Sequence, residues 1–592
     1  LFSNNKEIMK IKVDEKDVKK LFIIILSILF FQSLIQEIDY GLPYFQNGDE
    51  NAFIKSTLYF FGFFTHANQT LTDPIYGPFF NFILSGLIAF LYNFFITSLT
   101  FSDFQNFIFL NPDKFLLFSR LSSLIVATLS LFVLFLIYKK LKIKTIIFYL
   151  SLISISLSPI FIDVGIIAGK NIYVLFLYLI QIYFFLKFFL KIEKFNIYSY
   201  LIFGLLASFS WGLNYWCALP SIYAIIFLHF IKYKYKNLNY FLIWGFTFFC
   251  IGFLPNFLLS STNPFAHLLD YETIGTIYPD SNNKISIYFF EFYNAIRYIF
   301  ITEKISILLV ILILSFFLIT KKNFKSISLH KEIIFVFFIF ILEPIILIAL
   351  AEGSYPQFRY FITSIIILNI ALAYILDRIY TNISKRWEIF FSSFLIIIFS
   401  ITYFNKINIH YKFNEVISKK YNQYTLFENF KNENVLYIFS NMLIRENKKN
   451  ILFYQELINS EFIVIDTNAD GRNSKSELEK KIKLLDKYEK KSIYPNSNNI
   501  IILDSAYKIT DYKKFSDYIS NKFDLLVIQN DISTPSFNPI IQSFINKKKS
   551  FKKIDNPNNL LTARSLLQKI LNKKSDINNT IVGPSIYLFE LN

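Results

Sequence analysis

The sequence predicts a mostly α-helical membrane protein, a bundle of about eleven spans followed by a small α/β domain. The first observation is composition: 54% of the 592 residues are hydrophobic, only 17% are charged, and the mean hydropathy is +0.43. A soluble chain of this length would need far more charge to cover its surface. The second observation is that apolar runs of about 20 residues alternate with short lysine clusters, which is typical of helices that cross a bilayer.

The net charge of +17 would suggest nucleic acid binding in a soluble protein. Here the lysines lie between apolar runs, so we interpret them as cytoplasmic loops and expect no nucleic acid partner. Both cysteines, Cys217 and Cys250, lie inside apolar runs and are expected to be core residues.

The apolar runs define the predicted spans, which lie near residues 20–36, 115–137, 145–162, 171–190, 197–217, 218–231, 240–257, 304–320, 331–350, 357–378 and 386–404. Five lysines between residues 10 and 20 place the N-terminus in the cytoplasm. The later basic clusters, near 139–144, 187–194, 232–236, 321–325 and 378–386, then all fall on the inner side. We therefore predict a multi-pass protein of the plasma (inner) membrane.

One further apolar run, residues 78–97, tests this topology. If it crossed the membrane, every later basic cluster would lie outside. We predict instead an interfacial helix in the first outer loop, with Pro78 at its start and with Tyr92 and Asn93 exposed to water.

The chain changes character after residue 404, where it becomes charged and rich in asparagine. We predict a transmembrane domain over 1–404, a linker over 405–432 and an extracytoplasmic α/β domain over 433–592. Apolar runs rich in β-branched residues predict its strands at 435–439, 462–466, 500–504, 525–528 and 586–591.

The adjacent carboxylates Asp49 and Glu50 are the strongest candidates for chemistry, because they follow the first span by about a dozen residues. Charges at a membrane boundary are costly and are often functional. The alternative is that Asp49 caps a helix that continues through Leu58.

The chain resembles the GT-C class of polytopic glycosyltransferases, in particular bacterial relatives of protein O-mannosyltransferases and of lipid A aminoarabinose transferases. The resemblance covers roughly residues 20–380 and depends on the order and spacing of short motifs. The matching motifs are Asp49-Glu50, DPIYGP at 73–78, SRLSS at 119–123, YKKL at 138–141, LSP at 157–159 and QFRY at 357–360.

The resemblance implies transfer of a sugar from a polyprenyl-phosphate donor to a protein, glycan or lipid acceptor at the outer face. It implies Asp49 as the general base and Glu50 as its support. Arg120 and Arg359 would bind the donor phosphate, with Lys55 and Lys170 in reserve. The alternatives are that Arg120 reaches lipid headgroups, that Arg359 anchors its span and that Lys55 is a solvated helix residue.

The sequence departs from the family in one place. Relatives carry an aspartate about a dozen residues after the Leu-Ser-Pro motif, where this chain has Gly169, Lys170 and Asn171. Asp163 is the nearest carboxylate and a candidate replacement; the alternative is a hydrated carboxylate at the end of a span. Asn171 would keep a hydrogen bond there but no charge. A divalent metal is left open, since no Cys/His motif indicates one.

Other polar residues support further readings. His267, in the second outer loop, is a candidate for acceptor binding. Glu343 and Pro344, inside the ninth span, would suit a transporter or a flippase of lipid-linked saccharides, which is the main alternative function. A third reading is an assembly protein whose C-terminal domain does the work.

Overall fold

In a computed structural model of the chain, the described residues are 15–35, 38, 83–100, 103–104, 107–108, 112–213, 215–255, 293, 331–351, 361–382, 393, 396–397, 400–401, 403–404, 435–438, 525–530, 551–554 and 585–590. This part of the chain is mostly helical, as predicted. The helices are α1 (Glu15–Ile35), α2 (Ser85–Tyr92), α3 (Pro112–Leu141), α4 (Thr145–Ser156), α5 (Pro159–Ile166), α6 (Lys170–Phe189), α7 (Ile197–Leu213), α8 (Leu219–Tyr233), α9 (Tyr240–Thr247), α10 (Lys331–Ala351) and α11 (Ile362–Asn382).

Four described helices are long and apolar enough to cross a membrane, over Asp17–Ile35, Lys114–Leu141, Lys170–Phe189 and Ile362–Tyr380. The bent pair α4 and α5 would make a fifth. These helices indicate a membrane protein. The count of eleven spans includes residues outside the described part of the chain and stays a prediction.

Helix α1 exposes apolar side chains on the faces that do not pack against the bundle. Its buried side chains recur every three or four residues, at Ile23, Ser27, Phe30 and Leu34. On the other faces Leu21 and Leu29 are 59% and 58% exposed. A helix on the surface of a soluble protein is polar on its outward face, whereas most exposed side chains of α1 from Leu21 to Ile35 are apolar, which suits contact with lipid.

The long helix α3 lies at the centre of the bundle and packs against α1, α5 and α6. At 1.5 Å per residue its 30 residues extend about 45 Å, more than the hydrocarbon core requires. Gly165 of α5 lets that helix approach closely, because a Cβ at this position would lie 3.2 Å from the Cβ of Ala127 on α3.

The predicted third span, 145–162, is not one straight helix. α4 ends at Ser156, α5 begins at Pro159, and the two are bent by 55°. Ser158 has extended backbone angles, φ −65° and ψ 121°. Proline disfavours helical angles in the residue before it, so the chain leaves the helix at Ser158 and starts a new one. The single-helix prediction was wrong at this point.

Basic residues from distant parts of the chain meet at one end of the bundle, which we call the basic end. Lys19, near the start of α1, donates Nζ to the carbonyl of Ile143 in the α3–α4 turn (3.2 Å). Arg378, near the end of α11, donates Nη2 to the carbonyl of Leu141 in the last turn of α3 (3.2 Å). The start of α1 and the ends of α3 and α11 therefore lie together.

The segment after α6 and the end of α8 lie at the same end. α3 and α6 pack side by side and run in the same direction, so Lys140, in the last turn of α3, lies at the same end as Lys187, in the last turn of α6. Lys232 of α8 donates Nζ to the carbonyls of Glu193 (3.0 Å) and Phe195. The prediction that the basic clusters share one side is confirmed for the clusters that the structure describes.

Helix α2 and the π-helical turn after it, Asn93–Thr97, occupy part of the predicted interfacial helix. Tyr92 is only 5% exposed, so the prediction that it is wet was wrong. Its ring packs against four phenylalanines, Phe104, Phe107, Phe115 and Phe118. Asn93 is half-buried, and its side chain accepts from Leu99 N and donates to Leu99 O, both at 2.9 Å. The predicted start at Pro78 lies outside the described residues.

Tyr403, near the end of the predicted eleventh span, donates its hydroxyl to the carbonyl of Leu150 in α4. Leu150 is the sixth residue of α4, about 9 Å along the helix from the basic end. The tip of Tyr403 therefore lies in the half of the bundle nearer that end, whereas the prediction places residue 404 at the opposite end. This contact gives no support to an eleventh complete crossing.

Four short strands in the C-terminal part form a mixed sheet of order β1-β2-β4-β3: β1 (Val435–Ile438), β2 (Leu525–Asn530), β3 (Phe551–Ile554) and β4 (Ser585–Glu590). β1 pairs parallel to β2, and β4 pairs antiparallel to β2 and β3. Three predicted strands match β1, β2 and β4, while the runs at 462–466 and 500–504 lie outside the described residues. The boundaries of the predicted C-terminal domain stay a prediction.

Candidate functional site

Three of the sequence-predicted residues are buried charges that lie away from the basic end. Arg120 is in the third turn of α3, Asp163 is near the end of α5, and Lys170 is the first residue of α6. Their exposed fractions are 3%, 1% and 4%. α3 and α6 both run toward the lysines of the basic end, so Arg120 and Lys170 lie at a common level, and Asp163 precedes Lys170 by seven residues. We call them the buried charge triad.

Arg120 does not extend toward lipid headgroups. Its Nη1 donates to the carbonyl of Ile38, 3.0 Å away and 82 residues earlier in the chain. Ile38 follows the end of α1 by three residues and is itself buried. A hydrogen bond from a charged donor contributes about 1.5–3 kcal/mol. Arg120 therefore holds the chain just after α1, in the direction of Asp49 and Glu50 in the sequence, and the headgroup interpretation was wrong.

Asp163 is not a hydrated carboxylate at a helix end, as the alternative held, because 1% of it is exposed. The helix that carries it is held against two others. Phe161 stacks near Phe30 of α1, with ring centroids 5.3 Å apart, and Gly165 packs on Ala127 of α3. Packing on both sides of Asp163 excludes water from it.

Lys170 and Asn171 begin α6, where Asn171 is half-buried. One turn later the hydroxyl of Tyr173 is 2.7 Å from the hydroxyl of Ser122 on α3. Ser122 is two residues from Arg120, and Tyr173 is three residues from Lys170. This contact aligns the two helices so that both cations lie in the same layer of the bundle.

The electrostatics of the triad favour an anion. Taking a charge out of water costs several kcal/mol unless it is paired or hydrogen-bonded. Two cations and one carboxylate leave a formal net charge of +1, which suits a phosphate group better than a neutral ligand.

The remaining predicted site residues, Asp49, Glu50, Lys55, His267 and Arg359, lie outside the described residues. Glu343 lies in α10, and the structure does not describe its side chain. Among the described residues, no group of three or more His, Cys, Asp or Glu side chains is placed to hold a metal ion.

Two buried polar residues were missed in the sequence. Gln181, in the middle of α6, is fully buried and donates Nε2 to the hydroxyl of Ser210 (2.7 Å) and the carbonyl of Cys217 (3.3 Å). Asp377 accepts from the backbone N–H of Lys144 at 2.7 Å. Both are polar residues inside apolar runs, and that signal is visible in the sequence.

No family model, curated protein or solved structure matches this chain.

Proposed function

We propose that this chain is a membrane glycosyltransferase. It moves a sugar from a polyprenyl-phosphate donor to a protein, glycan or lipid acceptor, with Asp49 as the base and Glu50 as its support. Excess lysine marks the cytoplasmic side of a membrane protein, so the basic end faces the cytoplasm and the buried charge triad faces the outer side.

The observation that supports the proposal is that Arg120, Asp163 and Lys170 are all buried, with the two cations at the same level of the packed helices α3 and α6. In the transfer, the acceptor oxygen attacks the anomeric carbon, the bond from that carbon to the phosphate oxygen breaks, and Asp49 takes the acceptor proton. The leaving group is an anionic polyprenyl phosphate. Fixed cations in a site without water stabilise such developing charge strongly, because little solvent screens them.

Within this proposal the triad has a division of roles. Arg120 and Lys170 bind the departing phosphate, and Asp163 holds the two cations near each other against their repulsion. Arg120 also holds Ile38, eleven residues before Asp49 in the sequence, so the same residue would connect the phosphate site to the segment that leads to the base. Arg359 and Lys55 remain proposed contributors to the phosphate site.

The test is transfer of radiolabelled sugar by the purified protein in lipid nanodiscs, with a panel of polyprenyl-phosphate donors and acceptors. We expect Asp49→Asn to lower turnover by about 10²–10⁴-fold, the usual contribution of a general base. Asp17→Asn is the matched control, because Asp17 is 65% exposed and pairs with Lys20 at 2.8 Å near the basic end. Equal activity of both variants would remove Asp49 from the mechanism.

A transporter or flippase of lipid-linked saccharides is the second candidate, and the break between α4 and α5 favours it. Transporters use interrupted helices to build sites within the membrane. Asp163 lies in the second half of this broken span. A flippase moves the donor across the bilayer and leaves its sugar–phosphate bond intact, so translocation without bond cleavage would select this function.

A further inference from the structure

The structure brings five lysines together at one corner of the basic end, beside the ends of α3 and α6. They are Lys139, Lys140, Lys187, Lys191 and Lys194, and we call them the lysine cluster. α3 and α6 pack side by side and run in the same direction; Lys140 is 18 residues after Ser122 and Lys191 is 18 residues after Tyr173, so the Ser122–Tyr173 contact puts the two groups of lysines at a common level. Two come from the last turn of α3, and three come from the end of α6 and the segment that follows.

The negative charge near the lysine cluster is too small to neutralise its five lysines. Each helix C-terminus carries roughly half a negative charge, so α3 and α6 supply about one unit between them. One carboxylate, Glu193, lies in the same segment and is exposed. Against five lysines, these leave an excess of about three positive charges. This excess of positive charge favours the binding of an anion at the corner.

Exposed apolar side chains lie directly beside the lysine cluster. The Nζ of Lys187 is 5.1 Å from the ring centroid of Phe184 and 5.7 Å from that of Phe188. Leu136, one turn before Lys140, and Leu190, next to Lys191, are each 38% exposed. Lysine ammonium groups next to exposed apolar side chains are complementary to a molecule with an anionic headgroup and acyl chains.

We propose that the lysine cluster is a binding site for an anionic phospholipid of the surrounding bilayer. Its phosphate lies between the ends of α3 and α6, and its acyl chains lie along Leu136 and Leu190. The site is separate from the buried charge triad, which lies at the other end of the same two helices, so it does not depend on the proposed sugar transfer.

The test is native mass spectrometry of the purified full chain in detergent, titrated with phosphatidylglycerol, with phosphatidylcholine as the neutral lipid. Each lysine near an anionic headgroup contributes about fivefold in affinity. We therefore expect Lys140→Gln/Lys187→Gln to weaken phosphatidylglycerol binding about 30-fold and to leave phosphatidylcholine binding unchanged. Lys234→Gln/Lys236→Gln, in the α8–α9 turn, is the control, since it removes the same charge from the same end.

A second variant distinguishes loss of the lipid site from loss of the fold. Lys191 and Lys194 are exposed, so Lys191→Gln/Lys194→Gln leaves the packing of α3 and α6 untouched, and the same weakening is expected. An equal loss in the Lys234/Lys236 control would overturn the proposal, because binding would then report only the general positive field. Equally tight binding of glycerol 3-phosphate, which has no acyl chains, would also overturn it in favour of a site for soluble phosphates.

Discussion

At the scale of single residues, the main result is that Arg120, Asp163 and Lys170 are buried charges and not surface anchors. The sequence identified all three, because charges beside apolar runs stand out. It gave no basis for choosing between a buried and an exposed position. Packing around Arg120 and Asp163 involves Phe30 of α1, Ala127 of α3 and Ile38 just after α1, and the contact between Arg120 and Ile38 spans 82 residues of sequence.

Arg120 provides the sharpest prediction about the site. Arg120→Gln keeps a hydrogen-bond donor but removes a cation, so we expect the KM for the polyprenyl-phosphate donor to rise about tenfold or more, the cost of one charged hydrogen bond. Arg378→Gln is a matched control, because Arg378 also donates to a helix-end carbonyl, that of Leu141, but at the basic end. Steady-state kinetics in nanodiscs would measure both. An equal rise in KM for the two variants would mean that Arg120 supports only the fold.

Asp377 provides a prediction about stability. Its carboxylate accepts the backbone N–H of Lys144 and so joins α11 to the α3–α4 turn. Asp377→Leu leaves that N–H without its acceptor, and we expect a loss of about 1–3 kcal/mol in the free energy of unfolding. Asp377→Asn retains an acceptor oxygen and is expected to lose less. Thermal unfolding in detergent distinguishes them, and identical melting of both variants would contradict this role.

At the scale of elements, the sequence located the helices well because the apolar runs are long. The break at Ser158 was not predicted, although Pro159 disfavours helical backbone angles at the residue before it. Strand β3 (Phe551–Ile554) was also not predicted. Two of its four residues are lysines, so this edge strand has no apolar run. Tyr92 was misjudged because the phenylalanines that cover it lie in later segments.

The packing of α7 against the π-helical turn Phe248–Phe253 depends on Gly252. A Cβ there would lie 2.8 Å from the Cα of Ser208, and a backbone atom cannot move aside easily. We expect Gly252→Ala to destabilise the protein by about 1–3 kcal/mol, as overpacking usually does. Gly245→Ala is the control on the same segment, because nothing lies within 4 Å of a Cβ at that position. Thermal melts in detergent that fell equally for both variants would argue against this contact.

At the scale of the whole molecule, the sequence predicted a shared side for the basic loops, and the positions of Lys19, Lys140, Lys232 and Arg378 bear this out. Positive loops carry this information because their charge resists crossing the membrane. The residues that form a site cannot be predicted in the same way. Packing between helices that are distant in sequence decides which charged side chains lie close together.

The orientation of the molecule can be tested with single cysteines in a variant that lacks Cys217 and Cys250. Cysteines introduced at Lys142 and Lys234, both at the basic end, should react with a membrane-impermeant maleimide from the same side of oriented vesicles. We expect that side to be cytoplasmic, as the lysine excess indicates. Labelling of the two positions from opposite sides would contradict the shared end.

The central claim is that a lipid-linked sugar is cleaved at the end of the bundle that holds the buried charge triad. The most direct measurement follows a doubly labelled polyprenyl-phosphate sugar, with one label on the sugar and one on the lipid, in sealed vesicles that contain the wild-type protein and an acceptor. The account predicts that the labels separate, with free polyprenyl phosphate and glycosylated acceptor formed in equal amounts on the side opposite the basic end. Movement of both labels together across the membrane, with no separation, would contradict it and identify a flippase.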